Sequence, residues 1–458
     1  MARRRGWGRS GRLSALFIAA VVAGGFGLPL ACGTSGTGGG PDAPGARAVV
    51  DAATPVDGRS LPPASTDDAA PGEAGSQLPS INALVADDSL WTLINNPGGC
   101  RLREAKTLPD PFPKRIWSSC GVGCRVAPSG LPFQELTGSH YQGPSGGYVG
   151  SDIILLLPLE SVTDYILRVE RLSDGATLAA VLDRDAFKGT LCLQAGWGSA
   201  PFLFSIVGPG GDIRFGRAPR QPGAPIVWHS QWLANIPGLS TEFFEFNMGY
   251  GVGSASTPVL FKGPDDLNGT DLVGSGHVAH GLGSQLVWGG STGSIRSYAA
   301  DGGGIDLVPI ASSRDVLKVR LSADRMVWIS GARNGGAATD VRWHWSPRAT
   351  DAASVVVHDG PSLPFIADPG LDLAVGGEWA GTVGSDGTSI HFYVWHITTG
   401  ETWVLPNRPG FQFKRILAVS PTEMVLGEEL AGPDTGLMQN LVRVDLAALP
   451  MLVSAWTK

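Results

Sequence analysis

Three side chains with oxygen donors stand close together around a glycine in the middle of the chain. Asp266, Asn268 and Asp271 flank Gly269 within the stretch DDLNGTD. Carboxylate and amide oxygens are ligands that Ca²⁺ prefers, and a glycine allows the sharp turn that gathers them. The same residue types also build ordinary polar turns, and the terminal Glu of a full calcium loop is missing. Two interpretations therefore stay open, a calcium site and a polar turn, and no other cofactor is predicted.

Two serines match the G-x-S-x-G pattern of nucleophilic hydrolases, Ser145 in GPSGG and Ser291 in GGSTG. That mechanism needs the serine on a sharp turn between a strand and a helix, and no helical pattern follows either match. His277 and His280 are three residues apart, so on an extended strand they point to opposite faces and suit a shared metal ion poorly. We therefore interpret all four as residues of glycine-rich turns and strands, and the sequence leaves any catalytic residue unidentified.

The N-terminus has the organisation of an export signal. The first 31 residues contain five arginines, no acidic residue and an apolar run that ends in small residues before Cys32. This order is typical of a secretory signal peptide. Residues 29–32 (PLAC) resemble the cleavage box of bacterial lipoproteins, and the resemblance implies lipidation of Cys32. An ordinary cleaved signal and an uncleaved anchor are the alternatives.

The remaining cysteines suit an oxidising compartment. Lipidation of Cys32 leaves an even number, and an even number in an exported protein predicts two disulfide bonds. These four residues are Cys100, Cys120, Cys124 and Cys192. Three pairings are open. Gly33 stands where many lipoproteins of the inner membrane have Asp, so the lipoprotein resemblance implies an outer-membrane anchor, with the protein facing the periplasm or the cell surface.

Composition divides the chain into three regions. Residues 32–84 consist mostly of Gly, Pro, Ala, Ser, Thr and Asp and have no hydrophobic period, which predicts a disordered tether. We therefore expect a lipoprotein signal peptide at 1–31, the tether at 32–84 and a folded domain at 85–458. Without the signal peptide, 29 basic residues face 41 acidic ones. Such a charge repels phosphate and argues against nucleic acid as a partner.

The second half of the folded domain repeats with a constant period. Hairpin turns near Asp301, Thr350, Thr399 and Ala448 follow one another at intervals of 49 residues, and a second strand–turn–strand segment precedes each. Four short antiparallel strands per unit are typical of a β-propeller blade. Less regular hairpins precede residue 270. We predict an all-β propeller of seven four-stranded antiparallel blades, with six or eight as alternatives, closed by strands from both chain ends.

Two segments resemble known propellers. Residues 393–401 (YVWHITTGE) resemble the end of a blade in WD-repeat and TolB-like propellers, although His396 stands where those blades have Asp. Residues 416–423 (ILAVSPTE) resemble the Ser-Pro hairpin of the same families. The resemblance covers about the last 180 residues. It implies the architecture and says almost nothing about activity, because propellers carry many functions.

These features favour a binding protein over an enzyme. We predict a monomeric envelope lipoprotein, held at the membrane through Cys32, whose propeller is a binding or scaffold module for a protein or glycan partner. The alternative is an envelope hydrolase, lyase or quinone-dependent oxidoreductase that uses residues in the central channel. The channel distinguishes the two, since three or more acidic and histidine side chains converging there favour an enzyme.

Overall fold

The computed structural model describes most of the folded domain. The described residues are 86–94, 101–106, 114–128, 145–160, 164–184, 193–195, 202–207, 213–230, 243–246, 249–252, 259–261, 265–266, 270–271, 278–289, 294–298, 304–334, 337–363, 372–385, 390–430 and 440–457. The predicted signal peptide, Cys32 and the predicted tether lie outside them. Within the described ranges, no helix is long and apolar enough to cross a membrane.

Strands make up nearly all of the described structure. The first sixteen are β1 (Trp91–Leu93), β2 (Arg101–Ala105), β3 (Ser118–Gly121), β4 (Cys124–Pro128), β5 (Ser145–Val149), β6 (Asp152–Glu160), β7 (Tyr165–Arg171), β8 (Thr177–Arg184), β9 (Leu193–Ala195), β10 (Leu203–Val207), β11 (Ile213–Arg217), β12 (Val227–Trp228), β13 (Phe243–Phe246), β14 (Gly249–Val252), β15 (Val259–Phe261) and β16 (Thr270–Asp271). The others are β17 (Val278–Leu282), β18 (Gln285–Gly289), β19 (Ser294–Tyr298), β20 (Gly304–Pro309), β21 (Asp315–Leu321), β22 (Arg325–Asn334), β23 (Ala337–Pro347), β24 (His358–Leu363), β25 (Leu373–Gly376), β26 (Trp379–Ser385), β27 (Ile390–His396), β28 (Thr402–Leu405), β29 (Phe411–Val419), β30 (Glu423–Leu430) and β31 (Asn440–Asp445). The predicted all-β class is confirmed.

Consecutive strands pair into antiparallel sheets. Five sheets have four strands each: β9–β12, β13–β16, β17–β20, β21–β24 and β25–β28. The other sheets of the described residues have the strand orders β1-β2-β8-β7-β6-β5 and β29-β30-β31-β4-β3. The architecture is a β-propeller with four-stranded blades. The prediction of seven such blades is wrong, as are six and eight, because the described residues form five four-stranded sheets. Strands from the start of the folded domain enlarge the other two sheets instead of forming blades of their own.

The first strands of neighbouring sheets surround the axis of the propeller. They contact one another in the order β13, β17, β21, β25, β29 and β5. Large side chains fill the space between sheets: Trp343 of β23 stacks on Trp395 of β27 with ring centroids 5.1 Å apart, and both are fully buried. Each sheet alone would leave such faces in water, so packing sheet against sheet supplies the main stabilisation.

The turns follow the predicted polar chemistry. In the β21–β22 turn, the Ser322 hydroxyl accepts a hydrogen bond from the Arg325 backbone N–H at 3.1 Å. In the β29–β30 turn, Ser420 accepts from the Glu423 N–H at 3.0 Å. His396, which stands where related blades have Asp, accepts at Nδ1 from the Thr399 N–H at 3.3 Å. Histidine therefore caps this turn with a ring nitrogen.

The propeller closes through strands from distant parts of the chain. β31 pairs with β4, with Val442 opposite Val126 and Val444 opposite Cys124. The expectation that strands from both ends close the ring is confirmed. A disulfide bond joins Cys120 to Cys124 at the end of this β3–β4 hairpin. It is one of the bonds that the three open pairings allowed, while Cys100 and Cys192 lie outside the described residues.

One predicted strand is a helix. The hairpin expected around Ala448 is wrong, because Leu446–Ala448 forms a 3-10 helix and Leu449–Trp456 forms an α-helix, α1. The Asp445 carboxylate accepts from the Ala447 N–H at 2.9 Å, which starts the helical turn, and β4 already occupies the free edge of β31. Two further 3-10 helices lie among the described residues, Asp88–Leu90 and Ala352–Ser354.

Candidate functional site

A central cavity of about 120 Å³ runs along the axis of the propeller. Its wall consists of residues from β5, β17, β21, β25 and β29 or directly beside them, together with Arg220. Most of the wall is glycine, apolar side chains and strand backbone. The first strands turn their inner edges towards the axis, and therefore they also position the few charged side chains that reach the cavity.

The charged and histidine side chains among the described lining residues are three arginines, one aspartate and one histidine, and Tyr148 adds a phenol. Arg415 forms a two-pronged salt bridge with Asp372, with Nε–Oδ2 at 2.9 Å and Nη2–Oδ1 at 3.3 Å. Arg320 is buried and donates from Nε to the Leu373 carbonyl at 3.0 Å. The start of β25 thus holds both guanidinium groups, one from the sheet on each side.

His280 links two of the cavity-lining strands. It is buried in β17, and its Nδ1 lies 3.1 Å from the Leu321 backbone nitrogen, which donates to it. An Nδ1 that accepts a hydrogen bond leaves the proton of a neutral imidazole on Nε2. His280 is therefore a strand histidine, as interpreted from the sequence, and its sequence neighbour His277 lies outside the described residues.

One end of the propeller is built from tight turns, and we call it the turn face. It is defined by the turns at 283–284, 323–324, 377–378 and 421–422, which join the first and second strands of four sheets. Arg348 crosses between two of these sheets. Its Nε donates to Gln285 Oε1 at 2.6 Å, and its Nη groups donate to the carbonyls of Leu282 and Ser322. This bridge ties adjacent sheets together at the turn face.

A second arginine bridge lies beside it. Arg325 of β22 forms a two-pronged salt bridge with Glu378, which belongs to the next sheet, and its guanidinium also lies 5.1 Å from the centre of the Trp345 ring. The hydrogen bond from Arg325 lowers the pKa of the Glu378 carboxyl below its usual value. The bridge is therefore ionised at neutral pH, and it ties two neighbouring sheets together at the turn face.

Exposed apolar side chains occur at the same end of the molecule. Val356 and Val357 lie between β23 and β24, Val122 lies in the β3–β4 turn, and Met451 lies on α1 just after β31. Val122 and Val356 are 59% and 55% exposed. Because strands alternate in direction, these segments emerge on the side of the turn face. Loops on a rigid scaffold are where proteins most often carry binding residues.

Three polar side chains in one sheet form an arrangement that the sequence did not reveal. The Ser330 hydroxyl oxygen lies 2.8 Å from His344 Nε2, and His344 Nδ1 lies 2.7 Å from Asp359 Oδ1. The three residues lie on the neighbouring strands β22, β23 and β24. Their spacing in the chain follows no motif, and a register shift between Arg342 and His344 changes the pairing with β24, so sequence patterns gave no signal.

The order of exposure argues against nucleophilic catalysis by this group. Ser330 is 1% exposed, whereas the Asp359 side chain is 73% exposed. A catalytic triad has the opposite arrangement, with an accessible serine and a buried aspartate. Arg314 also donates from Nε to the Ser330 hydroxyl oxygen at 3.1 Å, and burial lowers the pKa of His344. We interpret the group as a polar ladder that connects three strands.

The calcium prediction stays a prediction. Asp266 is half-buried, and its backbone carbonyl lies 3.0 Å from His229 Nε2. Asn268 lies outside the described residues, and Asp271 is described only as backbone in β16. No group of three or more His, Cys, Asp or Glu side chains that could hold a metal is present among the described residues.

The serine matches lie in different settings. Ser145 begins β5, a strand that passes through a tight turn into β6. It therefore lacks the strand-to-helix turn that a nucleophilic serine of this kind requires. Ser291 lies outside the described residues. The interpretation of Ser145 as part of a glycine-rich strand and turn is in agreement with its backbone setting.

Comparison with known proteins finds related folds at low similarity. The WD40 domain of Toxoplasma gondii coronin is 12% identical, with a TM-score of 0.36, over 70% of this chain and 86% of that chain. The N-terminal domain of Nup159 is 11% identical, with a TM-score of 0.35, over 74% of this chain and 99% of that one. The computationally designed Ika8 protein is 16% identical, with a TM-score of 0.35, over 63% and 82% of the two chains. No protein-family model and no curated protein sequence matches the chain. The assignment as a β-propeller therefore rests on its own sheet topology.

Proposed function

We propose that this chain is an exported lipoprotein of the cell envelope whose propeller binds a protein or glycan partner through its turn face. The observation that carries the proposal is the collection of exposed apolar side chains at one end, Val122, Val356, Val357 and Met451. The arginine bridges of Arg348 and Arg325 tie neighbouring sheets together at the same end. A preorganised surface binds a partner with less loss of conformational entropy.

The composition of the central cavity supports binding over catalysis. An enzyme is expected to have three or more acidic and histidine side chains converging in the cavity. The described lining residues include one aspartate and one histidine. The aspartate, Asp372, is held in a salt bridge by Arg415. A hydrolase or lyase needs a poised acid and base aimed at a shared point, so the cavity wall favours the binding interpretation.

The proposed anchor is a lipid on Cys32, followed by the tether at 32–84 and an attachment to the outer membrane. The support is the order of charged, apolar and small residues before Cys32, together with Gly33 after it. A flexible chain of this length holds a folded domain clear of a membrane surface.

We expect the full chain, expressed in a Gram-negative host, to incorporate a labelled fatty acid, and Cys32→Ala to abolish the label. Cys120→Ser is the matched control, because it removes a different cysteine and leaves the proposed attachment sulfur in place. Labelling is read from the protein band after solvent extraction. A wild-type protein without label, or a Cys32→Ala protein that keeps it, would contradict the anchor.

Photo-cross-linking in intact cells tests the partner surface. A photoreactive amino acid at Val122 or Val356 is expected to give discrete adducts of higher mass. The matched control is Leu430, which is 50% exposed and lies at the opposite end of β30 from the turn face. Adducts cleaved by glycosidases identify a glycan, and adducts that yield foreign peptides identify a protein. Equal adduct formation at Leu430, or none at the two turn-face positions, would refute the proposal.

A further inference from the structure

A second cavity, of about 320 Å³, lies between two sheets at the same end of the molecule as the turn face. We call it the inter-sheet cavity. One wall is the β5–β6 turn together with Ser173 after β7, and the other is the β29–β30 turn together with Arg443 of β31. Its volume is within the range of roughly 300–1,000 Å³ that is typical of small-ligand sites. The cavity is therefore large enough to hold part of a ligand.

Part of this lining is already engaged in contacts within the protein. Arg443 donates to both carboxylate oxygens of Glu423, each at 2.8 Å, and its guanidinium carbon lies 5.1 Å from the centre of the Trp117 ring. The Ser420 hydroxyl accepts a hydrogen bond from the Glu423 backbone N–H at 3.0 Å. These contacts hold the wall formed by the β29–β30 turn in place, and we assign no ligand to the groups that make them.

Five other polar side chains of the lining are open to a ligand. None of them forms a hydrogen bond with another described residue, and they are the hydroxyls of Tyr148, Ser151, Ser173 and Thr422 and the carboxylate of Asp152. The serines and the threonine are exposed, whereas the tyrosine and the aspartate are half-buried. A hydroxyl both donates and accepts, and an ionised carboxylate accepts only. The two walls therefore offer hydrogen bonds of both kinds.

We infer that the inter-sheet cavity binds a neutral glycan through the hydroxyl groups of its sugar rings. Sugar hydroxyls both donate and accept, as the hydroxyls of the lining do, and the Asp152 carboxylate would accept strong, charge-assisted bonds from them. The cores of protein–protein interfaces are depleted in Ser, Asp and Glu, so this lining favours a glycan over a protein. Arg443, the guanidinium of the described lining, is held by Glu423, which disfavours an acidic glycan.

This inference rests on the proposed function, because a glycan is one of the two partner classes proposed there and the cavity shares Pro421 and Thr422 with the turn face. The two experiments nevertheless fail separately. Cross-linking to foreign peptides without glycan binding keeps the proposed function and overturns this inference. Glycan binding without adducts at Val122 and Val356 refutes docking through the exposed apolar side chains and keeps the cavity as a glycan site.

Calorimetric titration of the purified full chain tests the cavity, in a polyoxyethylene detergent that carries no sugar. The probes are the neutral tetrasaccharides cellotetraose, maltotetraose and chitotetraose, and tetragalacturonate is their acidic counterpart. We expect saturable binding of at least one neutral probe and weaker binding of the acidic one. The absence of saturable binding for all the neutral probes overturns the inference, as does equal or tighter binding of tetragalacturonate.

Isosteric variants locate the ligand. Asp152→Asn removes the charged acceptor of one wall and is expected to weaken binding about tenfold or more, and Thr422→Val removes a hydroxyl of the other wall and is expected to weaken it about threefold or more. Glu401→Gln is the matched control, because it removes an exposed carboxylate outside the described lining, and its affinity is expected to equal that of the wild type. If Asp152→Asn loses its cooperative thermal transition, the variant at the exposed Thr422 decides the matter. Wild-type affinity in the cavity variants, or an equal loss in Glu401→Gln, overturns the site.

Discussion

Replacing Gly376 by alanine is expected to destabilise the propeller by about 3 kcal/mol or more. Gly376 ends β25 against the last residues of β29. An added Cβ would lie 2.1 Å from the Val419 carbonyl oxygen and 2.6 Å from the Ser420 Cα. Both contacts are with backbone, so no side-chain rotation relieves them, and the first strands of two sheets must move apart. The free energy of unfolding from denaturant titration measures the effect.

Gly400→Ala is the matched control for this substitution. Gly400 has a φ of +76° and no heavy atom within 4 Å of an added Cβ, so alanine there costs only the backbone strain, about 1 kcal/mol. The difference between the two variants isolates the close approach of β25 to β29. Equal destabilisation of both variants would show that the two strands are farther apart than described.

Removing residues 440–458 is expected to abolish cooperative unfolding altogether. The truncation deletes β31, which contributes the buried residues Leu441, Val442 and Val444 and separates β30 from β4. Without it, β30 and β4 lose their shared partner strand, and the ring has an open seam with unpaired edges on both sides. Differential scanning calorimetry of the full and truncated chains measures the transition.

A shorter truncation separates the seam from the helix that follows it. Ending the chain at Leu449 keeps β31 and deletes most of α1, including the buried Leu452. This variant is expected to fold, with a free energy of unfolding about 2–5 kcal/mol lower because of the lost packing. Its thermal midpoint is therefore expected to be lower than that of the wild type. A chain without residues 440–458 that melts cooperatively near the wild-type temperature would contradict closure through β31.

The second half of the propeller was predictable because its hairpins combine three local signals. Strands such as β23 alternate in burial, with Val341 and Trp343 buried and Arg342 exposed, and polar turn residues such as Ser322 separate them at a fixed period. Before residue 270 the period fails, and β6, a nearly continuous apolar strand, gives no alternation to follow. The blade count was wrong because a count from hairpins assigns each early hairpin its own blade.

The final helix shows a limit of the same method. The segment from Leu449 to Trp456 is rich in Leu, Val and Trp, and its position in the repeat favours a strand. The segment does not form a strand because β4 already pairs with the edge of β31 that it would need. β4 lies more than three hundred positions earlier in the sequence. Pairing over such distances leaves no trace in local composition.

The candidate sites were less predictable than the fold. The calcium and serine patterns concern neighbours in sequence, whereas the cavity brings together Arg220, Arg320 and Arg415 from separate sheets. Nothing in their local sequence distinguishes them from surface arginines. The sequence analysis predicted that side chains in the central channel distinguish a binding protein from an enzyme. It did not predict which side chains line the channel.

The seam between β4 and β31 has a consequence for the timing of folding. Val126 is synthesised more than three hundred residues before its neighbour Val442, so the ring cannot close until β31 has emerged from the ribosome. Until β31 is available, β4 and β30 lack the strand that both pair with, so closure of the ring is a late, long-range step of folding.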